Sequence, residues 1–257
     1  MMWLRAVPAA LFGLAAGSFL NVVICRLPRG ESVVRPRSRC PGCGSTLKWH
    51  ENIPVLSYLL LGGRCRSCRC GISPRYPIVE ILGGALAVVS VMEFGAGMEA
   101  VFAYAFLMAL LAVTVIDWDH RIIPDSISLS FILIGIAWSF LSPSVTPAGS
   151  IAGAAAGGGG LWLIGEIYRR VRHDEGMGGG DVKLMAMIGA FLGVRMVLPV
   201  VLIASLFGSI YGIYLMRRGG DGRTAVAFGS FLAPAAAICL LFGADILRWY
   251  TVGFWST

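Results

Sequence analysis

Long apolar stretches, separated by short polar interruptions, run from near residue 6 to residue 243. A membrane-spanning helix needs about 20 mostly apolar residues. The pattern therefore predicts an all-α polytopic membrane protein with about eight transmembrane helices, at 5–25, 78–94, 99–116, 126–142, 147–168, 181–194, 196–216 and 227–243. The spans 126–142 and 181–194 are short for a crossing of about 30 Å. The alternatives for each are a tilted helix, a partly re-entrant segment, or a helix that begins above the lipid headgroups.

The first apolar run also has features of a cleaved signal peptide. Arg5 precedes it, and the small residues 15–18 lie within it. The run nevertheless continues to Ile24 without the polar region that precedes a cleavage site. We therefore interpret 1–25 as the first transmembrane helix.

One long segment interrupts the apolar pattern. Between residues 26 and 77, basic residues, Pro, Gly and most of the cysteines collect, and no apolar run reaches spanning length. This segment is predicted to be a small extramembrane domain inserted after the first helix, and 78–257 is predicted to form the remaining transmembrane domain.

The composition supports a membrane protein, and the distribution of charge predicts its orientation in the membrane. Hydrophobic residues make up 57% of the chain and charged residues 14%, far from the shares of a soluble domain. The formal net charge of +7 comes from basic residues that collect in alternate loops. They lie in 26–75, at Arg121, in 169–172, at Lys183 and in 217–223, against Arg5, Arg195 and Arg248 on the other side. The positive-inside rule then predicts a cytoplasmic location for 26–77 and both termini outside, and nucleic acid is not an expected partner.

Four cysteines have the spacing of a zinc ribbon. Cys40 and Cys43 form one CxxC pair, and Cys65 and Cys68 form another about twenty residues later. A reducing cytoplasm disfavours two disulfides as the alternative. Four thiolates leave no open position for water, so the expected ion is a structural Zn²⁺. Cys70 is an alternative to Cys68 as the fourth ligand.

The first acidic motif follows the third span and contains Asp117, Asp119 and Pro124, with Asp117 at the membrane edge. Acidic side chains at membrane depth are expensive and are functional candidates. The second motif, Gly178-Gly179-Gly180-Asp181-Val182-Lys183, opens another apolar helix. Asp181 alone could simply be an N-cap for that helix.

Together the two motifs indicate an aspartyl dyad. Two carboxyl groups a few Å apart share one proton, and such a pair can activate water for attack on a peptide carbonyl. The three histidines lie outside GxSxG and HExxH settings, which gives no support to a serine or zinc protease. A transporter is an alternative, but its helices should show polar stripes or internal repeats. A membrane-anchored zinc-ribbon adaptor would explain the cysteines but not the two Asp motifs.

These motifs, in their order, resemble the bacterial type IV prepilin peptidases. The resemblance covers nearly the whole chain and includes the stretches 17–28, 40–43, 52–58, 65–68, 73–80, 117–125, 178–183 and 228–231, where Ser230 replaces a commoner Pro. It implies that Asp117 and Asp181 are the catalytic pair. Asp119, Gly178, Gly180, Lys183 and Pro124 are then supporting residues.

The resemblance also implies an activity. Members cleave leader peptides of prepilins and pseudopilins, in type IV pilus and type II secretion systems, after a Gly at the cytoplasmic face of the inner membrane. Two-function members then N-methylate the new terminus with S-adenosylmethionine, an activity tied in the family to the large cytoplasmic domain. The expected partners are these substrates and the lipid bilayer, and the resemblance implies no particular oligomeric state.

Glycines inside the fifth predicted span have a separate explanation. Gly157 to Gly160 and the Ala/Gly stretch before them resemble a linker in composition. Within an apolar span, small residues instead favour close contact between helices. The sequence predicts a tight helix pair here.

Overall fold

The computed structural model describes residues 2–173, 177–218 and 227–253, with residue 2 and residues 249–253 described by their backbone only. Nine α-helices are present in these ranges: α1 Met2–Arg26, α2 Leu56–Leu60, α3 Arg75–Phe94, α4 Met98–His120, α5 Asp125–Ser139, α6 Pro147–Arg172, α7 Gly179–Leu192, α8 Val194–Arg217 and α9 Gly229–Gly253. The all-α prediction is confirmed. Arg223 of the predicted basic loop lies outside the described residues.

Each predicted span coincides with one helix, but the helices differ in length. Five meet both the length and the composition of a membrane span, namely the helical stretches Trp3–Arg29, Arg75–Phe94, Met98–His120, Val194–Arg217 and Gly229–Arg248. Helix α5 is apolar but shorter, and it ends at Ser139 rather than at residue 142. The structure supports a multi-pass membrane protein, and the count of eight crossings stays a prediction.

The chain forms two compact units, Met1–Met108 and Ala109–Thr257, and α4 contributes residues to both. In the first unit, α1 packs along α3 with their backbones close together. A Cβ atom added at Gly17 would lie 2.8 Å from Glu80 Cα, and one added at Gly83 would lie 2.7 Å from the Gly13 carbonyl oxygen. These glycines therefore set the separation of the two helices.

The cysteine-containing segment consists of turns rather than strands. Its two isolated β-bridges join Arg39 to Thr46 and Arg64 to Gly71. Each bridge closes a hairpin-like turn around one CxxC pair. One short 3₁₀ turn, Trp49–Glu51, and helix α2 lie between the two turns in sequence.

Helix α7 is the central element of the second unit and contacts α5, α6, α8 and α9. Seven of its fourteen residues are buried. At about 1.5 Å per residue it extends only about 21 Å, but a helix that is apolar on all sides and surrounded by protein is stable without reaching both membrane surfaces. The short predicted span is thus the protein-enclosed core of this unit.

Helix α6 packs against α7 through the glycines singled out in the sequence. A Cβ atom at Gly157 would lie 2.6 Å from the Met185 carbonyl oxygen, and one at Gly158 would lie 2.9 Å from Ala186 Cβ. The predicted close helix pair is confirmed for these two positions. Gly159 and Gly160 have open space beside them instead.

Candidate functional site

Asp117 lies in the last turn of α4 and is one of two buried carboxylates among the described residues, with 4% of its surface exposed. Its Oδ2 atom accepts two hydrogen bonds from Ser230 at the start of α9. The Ser230 backbone N–H donates at 2.7 Å and its hydroxyl at 3.0 Å. The Asp117 carboxylate is therefore fixed by a residue 113 positions away in sequence.

Asp181 lies in the first turn of α7 and is partly buried. Its carboxylate interacts with the backbone N–H groups of Gly229 and Gly178, and electrostatically with Asp117. Gly229 also contacts Asp117, because a Cβ atom added there would lie 2.9 Å from Asp117 Oδ2. The structure thus brings the two predicted aspartates together around the first residues of α9.

Ile123 and Pro124 shape the loop beside this pair. A Cβ atom added at Gly229 would lie 2.7 Å from Ile123 Cδ1, and one added at Gly180 would lie 3.1 Å from Ile123 Cβ. Pro124 follows in extended conformation as the N-cap of α5. Glycine at 180 and 229 is therefore what allows the loop to approach both α7 and α9.

Lys183 joins the two acidic motifs. Its Nζ atom donates to both carboxylate oxygens of Asp125, at 2.7 and 2.8 Å. Asp125 is the first residue of α5, and its carboxylate complements the positive end of that helix. The salt bridge connects the start of α5 to the start of α7, where Asp181 lies.

The remaining predicted residues occupy the edge of the site. Asp119 is exposed, in contrast to buried Asp117 two residues earlier. Gly178 is the exposed N-cap of α7 in an extended conformation. Because Asp119 is exposed, its carboxylate bears little desolvation cost, and its supporting role stays a prediction.

Three contributors were missing from the sequence-based site: Asp125, Gly229 and Ser230. Asp125 is part of the first acidic motif, and the other two belong to the 228–231 stretch that carries the resemblance. Their positions in motifs were a signal, but neither the charge of Asp125 nor the small side chains of Gly229 and Ser230 indicate by themselves which residues they contact.

Aromatic side chains lie next to Asp117. The Trp118 ring is 5.4 Å from Tyr211 of α8, which in turn is 5.6 Å from Phe231 of α9. Trp118 is 55% exposed. An exposed aromatic surface beside paired carboxylates can contact apolar side chains of a bound polypeptide.

The four predicted metal ligands form a cluster in the first unit. The sulfur atoms of Cys40, Cys43, Cys65 and Cys68 all lie within 4.8 Å of one another, with 3.7 Å between Cys40 and Cys68. Thiolates around one Zn²⁺ at about 2.3 Å in a tetrahedron are about 3.8 Å apart. The cluster therefore fits a metal ion. Cys70 Sγ is 3.3 Å from Cys40 Sγ, so it remains an alternative ligand.

The two cysteine turns have matching backbones. Cys40 N–H donates to Ser45 and Cys65 N–H donates to Cys70, both across five residues. Gly44 and Arg69 occupy equivalent positions, and both have positive φ angles, 72° and 61°. Arg69 thus adopts the left-handed conformation that glycine adopts easily, which the sequence pattern did not reveal.

Hydrogen bonding prepares some of these thiols to ionise. Backbone hydrogen bonding from Cys43, followed by the Cys70 thiol, lowers the pKa of Cys40 to about 6. The Ser45 hydroxyl and backbone lower the pKa of Cys43. Cys68 behaves differently: its backbone hydrogen bond from Cys70 lowers its pKa, but thiol–thiol hydrogen bonds and burial outweigh that effect and raise it. Crowded thiols ionise together only when a cation is present.

Asp117 is buried, Asp181 is partly buried, and both lie at ends of apolar helices in a chain with several helices of membrane-spanning length. Residues 104–213 match the type IV leader peptidase family, and residues 11–94 match the bacterial peptidase A24 N-terminal domain. The chain belongs to the type IV leader peptidase family.

Curated relatives cover nearly all of the chain. It is 38% identical to the prepilin leader peptidase/N-methyltransferase of Aeromonas salmonicida, over 96% of this chain and 94% of the relative. The protein of the same description from Pseudomonas aeruginosa is 36% identical, over 93% and 91%. That from Myxococcus xanthus is 43% identical, over 84% and 65%. No solved structure matches the chain.

Proposed function

We propose that this protein cleaves the leader peptide of type IV prepilins or pseudopilins after a Gly residue and then N-methylates the new amino terminus with S-adenosylmethionine. The observation that supports the cleavage most directly is the meeting of Asp117 and Asp181 at the start of α9. The descriptions of the relatives support both activities.

In the proposed cleavage, the two aspartates share one proton and hold a water molecule between them. The ionised carboxylate takes a proton from this water as its oxygen attacks the scissile carbonyl carbon, and the protonated carboxyl donates to the carbonyl oxygen. The resulting diol collapses when the peptide C–N bond breaks and the leaving nitrogen receives a proton. Ser230 acts as a positioning residue because its two hydrogen bonds orient Asp117.

The proposed substrate suits the position of the pair. A prepilin has a basic leader followed by an apolar helix, so its scissile bond lies at the membrane boundary. Asp117 and Asp181 lie at ends of apolar helices. The basic loops support a cytoplasmic face of the inner membrane for this end, so the substrate helix can remain in lipid while its leader is removed.

The proposed methylation requires a free amine, which cleavage supplies. S-adenosylmethionine, when bound, supplies an electrophilic methyl group. As the amine nitrogen forms its bond to the methyl carbon, the sulfur–carbon bond breaks, a neutral thioether leaves, and the nitrogen releases one proton to water. The chain's residues need only hold the donor near the new terminus and admit the neutral amine.

The experiment that tests the proposal uses the full chain in lipid nanodiscs with a synthetic prepilin and S-adenosylmethionine, followed by mass spectrometry. We expect the mature peptide to appear after the Gly and then to gain one methyl group. An intact prepilin, in a preparation that is folded by thermal stability, would contradict the cleavage. A mature peptide that stays unmethylated would contradict only the second activity.

We also propose that residues 26–77 form a structural zinc domain between the first helix and a peptidase domain at 78–257. The sulfur cluster supports this proposal. A segment of about fifty residues with few large apolar side chains buries little core, and metal binding then supplies its folding free energy.

Metal analysis of the purified protein tests the zinc proposal. We expect about one zinc per chain in the wild type, and loss of most of it in Cys43→Ser, because three thiolates bind zinc more weakly than four. Cys239→Ala, at a buried cysteine of α9 outside the cluster, is the matched control and should retain zinc. Cys70→Ser distinguishes the alternative ligand: retained zinc supports Cys68. Absence of zinc from the wild type would refute the proposal.

The salt bridge between Lys183 and Asp125 makes a separate prediction for the peptidase. Both side chains are substantially exposed, at 40% and 57%, so the pair contributes at most about 1 kcal/mol to stability. We expect Lys183→Met and Asp125→Asn each to lower the cleavage rate about two- to fivefold, and the double variant to be no worse than either single one. A much larger effect of Lys183→Met alone would show that Lys183 acts on the reaction directly.

A further inference from the structure

The loop between α4 and α5 is short and is fixed at both ends. Arg121 follows α4 with a positive φ angle of 54°, and its backbone N–H donates to the Asp117 carbonyl oxygen at 2.8 Å. Pro124 is the extended N-cap of α5, and its ring restricts the backbone of Ile123 before it. The ends of two helices therefore determine the position of Ile123.

The side chain of Ile123 lies against the starts of both α7 and α9. Its Cβ, Cγ1 and Cδ1 atoms are 3.1 to 3.4 Å from a Cβ atom added at Gly180, the residue before Asp181. Its Cδ1 atom is 2.7 Å from a Cβ atom added at Gly229, and Asp117 Oδ2 is 2.9 Å from that same point. The methyl end of Ile123 and the Asp117 carboxylate therefore border one small space.

This side chain is also stiff. Isoleucine is branched at Cβ, which restricts rotation about its χ1 angle. Ile123 is partly buried, whereas the neighbouring Ile122 is 44% exposed. A branched side chain in contact with two helix starts has little freedom to move aside when a ligand enters.

The proposed cleavage brings one residue of the substrate next to these groups. The attacked carbonyl carbon belongs to the residue before the scissile bond, and the Cβ atom of any residue lies only about 2.5 Å from its own carbonyl carbon. Attack by a water molecule held between Asp117 and Asp181 therefore places that side chain beside the pair. Gly has no Cβ atom to accommodate, and every larger residue requires free space there.

We propose that Ile123 restricts cleavage to Gly, because its side chain occupies the space that a larger side chain before the scissile bond would need. This inference rests on the proposed leader cleavage, and it names the residue that makes that reaction selective. Ile123 acts sterically: it excludes other peptide bonds and takes no part in proton transfer.

Paired substrates test the role of Ile123. The full chain in nanodiscs receives a synthetic prepilin with Gly before the scissile bond, or the same peptide with Ala there, and kcat/KM is measured for each. We expect Ile123→Ala to raise the ratio of the Ala value to the Gly value by at least about tenfold, since one methylene group changes selectivity by about 10- to 200-fold. Ile123→Val removes only the Cδ1 methyl group beside Gly229 and should give a smaller rise.

Ile122→Ala is the matched control, because it removes the same atoms from the exposed neighbouring residue. It should keep the wild-type ratio. If Ile123 only supported the loop, its variants would lower both kcat/KM values together, and an unchanged ratio would overturn the proposal. An equal rise in the Ile122→Ala ratio would overturn it as well.

Thermal stability is measured on the same preparations. If Ile123→Ala is unstable, the ratio in Ile123→Val decides the assignment. If the wild type leaves the Gly peptide intact, the proposed cleavage itself fails. If it cleaves the Gly and Ala peptides equally well, or if the ratio stays constant in the Ile123 variants, the cleavage stands and only the role of Ile123 fails.

Discussion

Asp117→Asn and Asp181→Asn are each expected to lower the rate of leader cleavage by at least about a thousandfold while the protein remains folded. Asparagine has nearly the same shape as aspartate but can neither take a proton from water nor share one with its partner. Loss of general acid or base catalysis alone costs about 10²–10⁴ in rate. The measurement is single-turnover cleavage of a prepilin in nanodiscs, with thermal stability determined for each variant.

Asp119→Asn is the matched control, because it makes the same chemical change at an exposed acid two residues from Asp117. It should retain activity within about tenfold, an effect well below that of losing a general acid or base. Methylation of a synthetic mature peptide should persist in all three variants, since the new amine is already present. Normal cleavage by both the 117 and the 181 variants would refute the aspartyl mechanism.

Gly189→Ala is expected to destabilise the protein by about 3 kcal/mol or more, with a large fall in the midpoint of thermal unfolding. Gly189 of α7 lies against Gly153 of α6, and an added Cβ atom would overlap the Gly153 carbonyl group. Backbone atoms of two packed helices have no rotamer by which to relieve this overlap. The helices would have to separate, and α7 contacts four other helices of its unit.

Gly159→Ala in α6 provides the control for this prediction. It adds the same methyl group in the same helix pair, but beyond the adjoining backbone of α6 no atom lies within 4 Å of the added Cβ. Alanine favours a helix over glycine by about 1 kcal/mol, so this variant should be as stable as the wild type or slightly more stable. Equal stability of the 189 and 159 variants would show that the α6–α7 contact is looser than the structure indicates.

Helix positions followed from the sequence because an apolar run of membrane length has few alternatives. All eight predicted spans fall on helices, including the two short ones. The environment of each helix did not follow. Lipid tails and protein interiors are equally apolar, so hydrophobicity does not distinguish a lipid-facing helix from an enclosed one. Helix α7 is enclosed partly because glycines of α6 lie directly against it. The sequence does not show which helix those glycines contact.

The candidate site was partly visible for a related reason. Asp117 and Asp181 stood out because acids are rare beside apolar helices. Ser230 stood out only as a replacement for a commoner Pro, and its bond to Asp117 was hidden because that contact crosses 113 positions of sequence. The partner of Lys183 was equally hidden, because a surface lysine has many acids within reach of its flexible side chain.

Ser230 also makes the two oxygen atoms of Asp117 unequal. Both of its donors are directed at Oδ2. In an Asp117→Asn variant the amide NH₂ group is itself a donor and would be repelled at that position, so the amide oxygen must occupy it. The NH₂ group then takes the place of Oδ1, the oxygen that accepts no hydrogen bond from Ser230. An isosteric amide would thus keep both Ser230 hydrogen bonds and, in the proposed mechanism, would present a donor to a water molecule that has to donate.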